Sequence, residues 1–213
     1  PASNGNTGKF TFSCWVKRGN LVSTVIPLLT AYSGVISNQT DDAIIINADT
    51  FEIYSKGGVT GAGGWYRYTS ALLRDPSAWY HLVFVADFSN GTAANRAKIY
   101  VNNVLQTVTT TDDFDNADGL INSTNAHQIG SEGGTANFFD GYLAEVNFID
   151  GQALTPSSFG ATDALTGVWQ PAKYTGTYGT NGFYLPFSDI ATTSGSNAGL
   201  GKDFSGNTNY WNT

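Results

Sequence analysis

Trp79-Tyr-His-Leu-Val-Phe-Val-Ala-Asp-Phe88, a polar stretch from Ser89 to Arg96, and Ala97-Lys-Ile-Tyr-Val-Asn-Asn-Val-Leu105 together decide the fold. The first arm is rich in aromatic and β-branched residues and is short for a helix, and Ser-Asn-Gly-Thr supplies turn chemistry between the arms, so the stretch predicts a β-hairpin. In the second arm Ala97, Ile99 and Val101 share one face, while Lys98, Tyr100 and Asn102 share the other. The first arm is apolar on both sides, with Leu82, Phe84 and Ala86 opposing Val83 and Val85. Such a strand belongs at the centre of a sheet that is covered above and below. Two packed sheets are therefore expected.

Outward from the hairpin the same period recurs. Lys9 to Lys17 alternates Phe10, Phe12, Cys14 and Val16 with Thr11, Ser13 and Trp15. Val25 to Tyr32 is a strand in which Pro27 predicts an edge or a bulge, and Ala43–Asn47 and Thr50–Tyr54 form a hairpin over Ala48-Asp49. The glycine-rich loop from Gly57 to Gly64 runs into Trp65-Tyr-Arg-Tyr68, and Asp75-Pro-Ser turns the chain into the central hairpin. Thr107 to Thr111 and His127 to Gly130 read as short strands. Phe138 to Asp150 reads as a long one, with Tyr142, Ala144, Val146 and Phe148 opposing Leu143, Glu145, Asn147 and Ile149. Thr155 as N-cap with Pro156 at the first helical position predicts a single short helical turn ended by Gly160, the one helix expected. From Gly167 the texture turns to glycine, serine and asparagine with one more strand, Phe183 to Phe187. The expected organisation is a sandwich over residues 1–166 with a C-terminal extension, 167–213, packed on the same domain, because the extension has too few apolar strand positions for its own core.

The 213 residues suit one large all-β domain. Only 13% are charged, so the surface is built from hydroxyls and amides, and aromatics at 14% exceed what a core alone requires. A net charge of −7 argues against nucleic acid and against anionic membranes. Cys14 is the single cysteine, which excludes an intrachain disulfide and predicts a buried small hydrophobe. No apolar run reaches the roughly 20 residues of a membrane span, and no secretion signal opens the chain. The start at Pro1-Ala-Ser-Asn suggests a piece of a longer polypeptide or a processed product.

The set Phe10-Thr-Phe-Ser-Cys-Trp-Val-Lys17, Trp79-Tyr-His-Leu-Val83, Lys98-Ile-Tyr-Val-Asn102 and Phe139-Asp-Gly-Tyr-Leu-Ala-Glu-Val-Asn-Phe148 resembles the concanavalin A-like, laminin-G-like jelly-roll family, over roughly residues 9–160. The resemblance implies an all-β, two-sheet antiparallel jelly-roll sandwich with a curved face. The trailing Gly179-Thr-Asn-Gly-Phe-Tyr-Leu185 and Gly201-Lys-Asp-Phe-Ser-Gly-Asn207 resemble the continuation found after such jelly rolls in virion and tail-fibre proteins of aquatic bacterial viruses.

Hydrolases on this fold place paired carboxylates about 5 Å apart on one strand. The nearest candidate, Glu145 to Asp150, fails by period: Glu145 falls on one face and Asp150 on the other. His81 and His127 lack a nucleophile motif, and His81 is expected to be a hydrogen-bonded structural residue. Asp112, Asp113, Asp115 and Asp118 offer oxygens to a hard cation such as Ca²⁺, although Ala117 and the missing terminal Glu depart from an EF-hand, and a solvated acidic loop competes with that reading. The Gly57 to Gly64 loop lacks the Gly-Lys-Ser/Thr of a nucleotide site. Trp65, Tyr66 and Tyr68 offer flat faces for sugar rings, with Arg67 as a partner for hydroxyls, weighed against ordinary packing of strand aromatics. Trp79, by contrast, is expected to seal the end of the core. The expectation is a non-catalytic attachment module of a virion (tail or surface fibre) or other extracellular assembly. It would contact host glycan or other virion proteins, as a homo-oligomer or part of a larger assembly. The alternatives are a structural decoration module and a glycan hydrolase.

Overall fold

The computed structural model describes residues 1–21, 25–33, 41–55, 65–110, 119–133, 137–192 and 194–212. In chain order the strands are β1 (Lys9–Arg18), β2 (Ile26–Tyr32), β3 (Asp41–Asn47), β4 (Thr50–Ser55), β5 (Tyr66–Thr69), β6 (Tyr80–Asp87) and β7 (Ala97–Val101). Then follow β8 (Val104–Leu105), β9 (Val108–Thr110), β10 (Ala126–Ile129), β11 (Gly141–Asp150), β12 (Gly160–Thr162), β13 (Trp169–Pro171) and β14 (Phe183–Leu185). One six-stranded sheet runs β14-β11-β1-β6-β7-β8, a second runs β10-β2-β3-β4-β5-β9, and β12 pairs with β13 alone. Every strand pairing among the described residues is antiparallel. This is a concanavalin A-like jelly-roll sandwich.

Its core lies between the sheets. Phe10, Phe12, Cys14, Phe84, Ile99 and Phe148 of the first sheet meet Leu29, Ile44, Ile46, Phe51 and Ile53 of the second, all at most 3% exposed. Each such side chain contributes about 1.5–3 kcal/mol on burial, so the facing rows are the main source of stability. Phe148 stacks between Phe10 and Phe183, with ring centroids 5.3 and 5.6 Å away. Burial raises the thiol pKa of Cys14, which keeps that residue an inert core group.

The outer face of the first sheet is also covered, by residues 151–184 of the same chain. Thr11 donates to the Gln152 carbonyl and accepts from the Leu154 amide, and Ile149 packs in a second cluster with Phe159, Tyr178 and Tyr184. This layer explains why Val83 and Val85 are buried on the side away from the core. The part of the extension beyond Gly167 adds β13 to this layer and β14 to the sheet edge.

Several local expectations need correcting. The polar stretch before β7 contains α1 (Ala93–Arg96), so the helical turn at Pro156–Ser158 is not alone, and a third short turn spans Gly199–Gly201. The second arm does not run straight to Leu105: Asn102 and Asn103 sit at φ 48° and 68°, a two-residue reversal that folds β8 back on β7. Pro27 marks a bulge in β2, where the register shifts between Pro27 and Leu29, but β2 is internal, between β10 and β3. In β11 the alternation breaks at Glu145, whose φ is 51°, opposite a register shift between Ser13 and Trp15. One extra residue inverts the parity, so Leu143 joins Val146 and Phe148 in the core while Tyr142 turns outward.

Candidate functional site

With the outer face of the first sheet covered, the outer face of the second sheet becomes the place to look for a site. Antiparallel partners share a face, so the register builds its surface row by row. Ala43 lies opposite Tyr54, and Tyr54 opposite Tyr66; Ile45 lies opposite Glu52, and Glu52 opposite Tyr68. The result is a floor in which tyrosine rings and aliphatic side chains surround a carboxylate. A cavity of about 560 Å³ opens on it, lined by Val25, Ile45, Glu52, Tyr54, Tyr66 and Asn137 among others.

Strand period splits the four residues expected from sequence. Tyr66 and Tyr68 face outward, with ring centroids 5.2 Å apart and planes tilted 38°. Trp65 and Arg67 face inward. Trp65 is 6% exposed, packs against Phe88 with centroids 5.5 Å apart and belongs to the main core, so it borders the cavity as a core residue and not as an exposed loop-edge platform. Arg67 is 5% exposed and its Nη1 donates to the Ala97 carbonyl of the opposite sheet, which removes it from any sugar-contacting role on the outer face. Desolvation lowers its pKa. The expected set is divided because successive residues along a strand point to opposite faces.

The polar partners of the two tyrosines come from strands and loops that sequence reasoning passed over. Glu52 is buried, its Oε1 accepts from Thr50 Oγ1 at 2.6 Å, and its Oε2 accepts from Asn47 Nδ2 at 3.3 Å. Desolvation, and then a hydrogen bond to Glu52, keep the Tyr66 hydroxyl protonated by raising its pKa. At the other end Tyr54 donates to Asp41 Oδ2 at 3.0 Å and approaches Glu132 Oε1 at 3.4 Å, and Asn137 Nδ2 donates to Glu132 Oε2 at 2.5 Å. The signal for Glu52 and Tyr54 was present in the alternation of Thr50 to Ser55 opposite Ala43 and Ile45. Glu132 and Asn137 reach the floor only through tertiary structure. An apolar floor with a few oriented carboxylates and hydroxyls can receive a polyhydroxylated ring, its C–H face on tyrosine and its hydroxyls on oxygen.

A family model described as the concanavalin A-like lectin/glucanases superfamily matches residues 1–158. The chain belongs to this superfamily. Among solved structures, the CBM40 of the Ruminococcus gnavus IT-sialidase, bound to α2,3-sialyllactose, aligns at 15% identity and TM-score 0.51, over 73% of this chain and 81% of that one. The leech intramolecular trans-sialidase, complexed with 2,7-anhydro-Neu5Ac, aligns at 15% identity and TM-score 0.52 over 71% of this chain and 22% of that one. A heptameric SAP-like pentraxin from Limulus polyphemus aligns at 17% identity and TM-score 0.49, over 72% and 68% of the two chains. These likenesses are at the level of fold. No curated protein matches the sequence.

Because the concanavalin A-like superfamily is named for both lectins and glucanases, the carboxylates and histidines bear on the choice. Glu145 Oε2 accepts from Tyr184 Oη at 2.6 Å in the covering layer. Asp150 is 8% exposed and serves structure: Oδ1 accepts from the Asn6 amide and from Asn122 Nδ2, and Oδ2 from the Asn181 amide, which ties three distant segments together. Ser13 and His81 form a buried pair at 2.9 Å, the outline of a nucleophile and its base. The indole N–H of Trp169, a donor only, bonds His81 Nδ1 at 3.0 Å, so in the neutral ring the proton sits on Nε2 and points at Ser13. A protonated Nε2 cannot take the serine proton, and burial lowers the His81 pKa to about 4. His81 is thus a structural residue, as its strand position predicts. Asp112, Asp113, Asp115 and Asp118 lie outside the described residues, and among the described residues no group of three or more His, Cys, Asp or Glu side chains is placed to hold a metal.

Proposed function

We propose that this chain is a non-catalytic glycan-binding module of an extracellular or virion-surface assembly, and that its ligand lies on the outer face of the second sheet. The observation that carries the reading is Tyr66, its ring against that of Tyr68, standing with Glu52 and Tyr54 on the wall of a cavity of about 560 Å³. Aromatic faces stack on sugar C–H surfaces while carboxylates and hydroxyls fix orientation. A module of the same fold, the CBM40, is bound to a sugar, which supports the assignment. The virion setting rests on the resemblance of segments 179–185 and 201–207 to the continuation of tail-fibre jelly rolls. The non-catalytic part rests on the Ser13–His81 tautomer and on the separate commitments of Glu145 and Asp150.

The test is a glycan array probed with the purified chain, followed by assay of each bound glycan for new reducing ends. Binding without cleavage is the expected result. Cleavage of a bound glycan would make the chain a hydrolase, and an array without binding would leave a structural module.

A further inference from the structure

A second cavity, of about 610 Å³, opens between the end strands of the two sheets, β10 and β14. The buried core residues Leu29, Phe148 and Phe183 form its apolar wall, together with Trp211 from the C-terminal extension. Trp211 is fixed there: its amide donates to the Gly201 carbonyl at 2.8 Å, its ring meets that of Phe183 edge-on with centroids 5.0 Å apart, and a Cβ at Gly201 would overlap the Trp211 carbonyl. Asn125, Asn181 and Asn209, from three different segments, also line the cavity. Their orientation is set by partners that can only accept. Asn181 Nδ2 donates to the Ser3 carbonyl at 2.9 Å, and Asn209 Nδ2 donates to the carbonyls of Thr180 and Gly182, both at 2.9 Å. Ser123 spends its hydroxyl hydrogen on the Leu120 carbonyl, so it accepts from Asn125 Nδ2 at 2.8 Å. Each amide therefore keeps Oδ1, with two acceptor directions, as its other end.

From this arrangement we infer that the cleft between β10 and β14 is a second sugar site, distinct from the tyrosine floor, and that it takes a neutral pyranose ring. Amide oxygens from three segments call for donors that radiate in different directions. Ring hydroxyls supply them, while the C–H face of the ring lies on Phe148, Phe183 and Trp211. A purely apolar ligand would fill the wall but take water from the amide oxygens without replacing its hydrogen bonds. The rim is ordered in advance: Asn181 Nδ2 donates to Asn122 Oδ1 at 3.0 Å, and both residues are bonded to Asp150, so little side-chain freedom is lost on binding. The inference goes beyond the reading above and stands apart from it, because among the described residues the two cavities share no lining residue.

The experiment follows the indole N–H resonance of Trp211, assigned with Trp211→Phe, while the whole chain is titrated with galactose, mannose, glucose and N-acetylglucosamine, and with cyclohexanol as a ring that lacks the hydroxyl set. The same titrations are run on Tyr66→Ala/Tyr68→Ala, on Asn125→Ala, and on Thr124→Trp, which places a bulky ring at an exposed position lining the cavity. The expected result is a saturable shift of Trp211 with at least one monosaccharide, retained in the double tyrosine variant, about fivefold weaker in Asn125→Ala for one lost hydrogen bond, and abolished in Thr124→Trp. Cyclohexanol should bind more weakly than that monosaccharide. A Trp211 signal that no monosaccharide moves would overturn the inference, and glycan-array binding that is lost in the double tyrosine variant would then leave the first reading standing alone. A shift that survives both Asn125→Ala and Thr124→Trp unchanged would also overturn it, and cyclohexanol binding as tightly as the sugar would make the cleft an apolar pocket.

Discussion

Trp169 and His81, 88 positions apart, are joined by an indole N–H that donates to imidazole Nδ1 at 3.0 Å. The bond clips the covering layer to the central strand and dictates the tautomer. His127 is wired the other way: its Nδ1 bonds the Asn125 carbonyl at 2.8 Å, and its Nε2 accepts from the Asn122 amide at 3.0 Å. Nitrogen-resolved NMR should therefore find His81 protonated on Nε2 and His127 on Nδ1 at neutral pH. Finding His81 protonated on Nδ1 would break the argument against a Ser13–His81 dyad.

Both histidines are held neutral by burial, with pKa lowered to about 4, while Asp42, buried in the core, is pushed up to about 6. A depressed histidine stabilises the fold above its unfolded pKa, near 6.5, and that contribution disappears as pH falls through 4. The raised carboxyl of Asp42 acts in the opposite sense: its contribution is complete below about pH 4 and is lost as pH rises through 6. Two histidines outweigh one aspartate, so urea denaturation should show stability falling by roughly 3 kcal/mol between pH 6.5 and 4. In His127→Gln one histidine opposes one aspartate, and the profile over that window should be nearly flat. A wild-type profile already flat there would contradict the assignment of either group.

The two tryptophans exchange the roles expected of them. Trp65 is 6% exposed in the main core, whereas Trp79 is 41% exposed, its ring 6.5 Å from that of Tyr142. Trp65→Ala should cost about 3–5 kcal/mol by chemical denaturation, and Trp79→Ala less than about 1. Equal losses would mean that the end of the sandwich is packed differently.

Arg18 is 1% exposed and anchors β1 to the reversal between β3 and β4, donating to Asp49 Oδ1 at 2.7 Å and to the Leu73 carbonyl at 2.6 Å. Hydrogen bonds from Arg18 and then Arg74 hold the Asp49 carboxyl below its ordinary pKa. Asp49→Asn keeps a side chain that tolerates the positive φ of 71° but removes the charge. Because a buried guanidinium is left uncompensated, the variant should lose about 3 kcal/mol, near the lower bound for breaking a buried pair since Asp49 is partly exposed. A loss within experimental error would reduce this contact to a surface ion pair.

How much of this was legible follows from the range of each signal. The two-sheet architecture was, because Phe10 to Val16, Ala43 to Tyr54 and Leu82 to Val101 carry their period within a few residues. The division of Trp65 from Tyr66 was legible too, had the same period been applied across the candidate cluster. Leu143 was not: its face depends on one extra residue at Glu145, which local alternation does not reveal. Trp79 was not, because its exposure follows from its place just before the first residue of β6, where its neighbour is Tyr142 of another strand. The wall of the candidate groove was least accessible, since Glu132, held by Asn137, meets Tyr54 only after β10 has docked on β2.

The proposed glycan site depends most directly on Tyr66 and Tyr68. Titration of the tightest glycan from the array into wild type and into the Tyr66→Ala/Tyr68→Ala double variant, with denaturation of both proteins in parallel, isolates their role from folding. The prediction is affinity lowered at least about tenfold, consistent with the loss of two stacking rings, with stability reduced by no more than about 2 kcal/mol. A folded double variant that binds the glycan as tightly as wild type would contradict the claim that the outer face of the second sheet is the binding site.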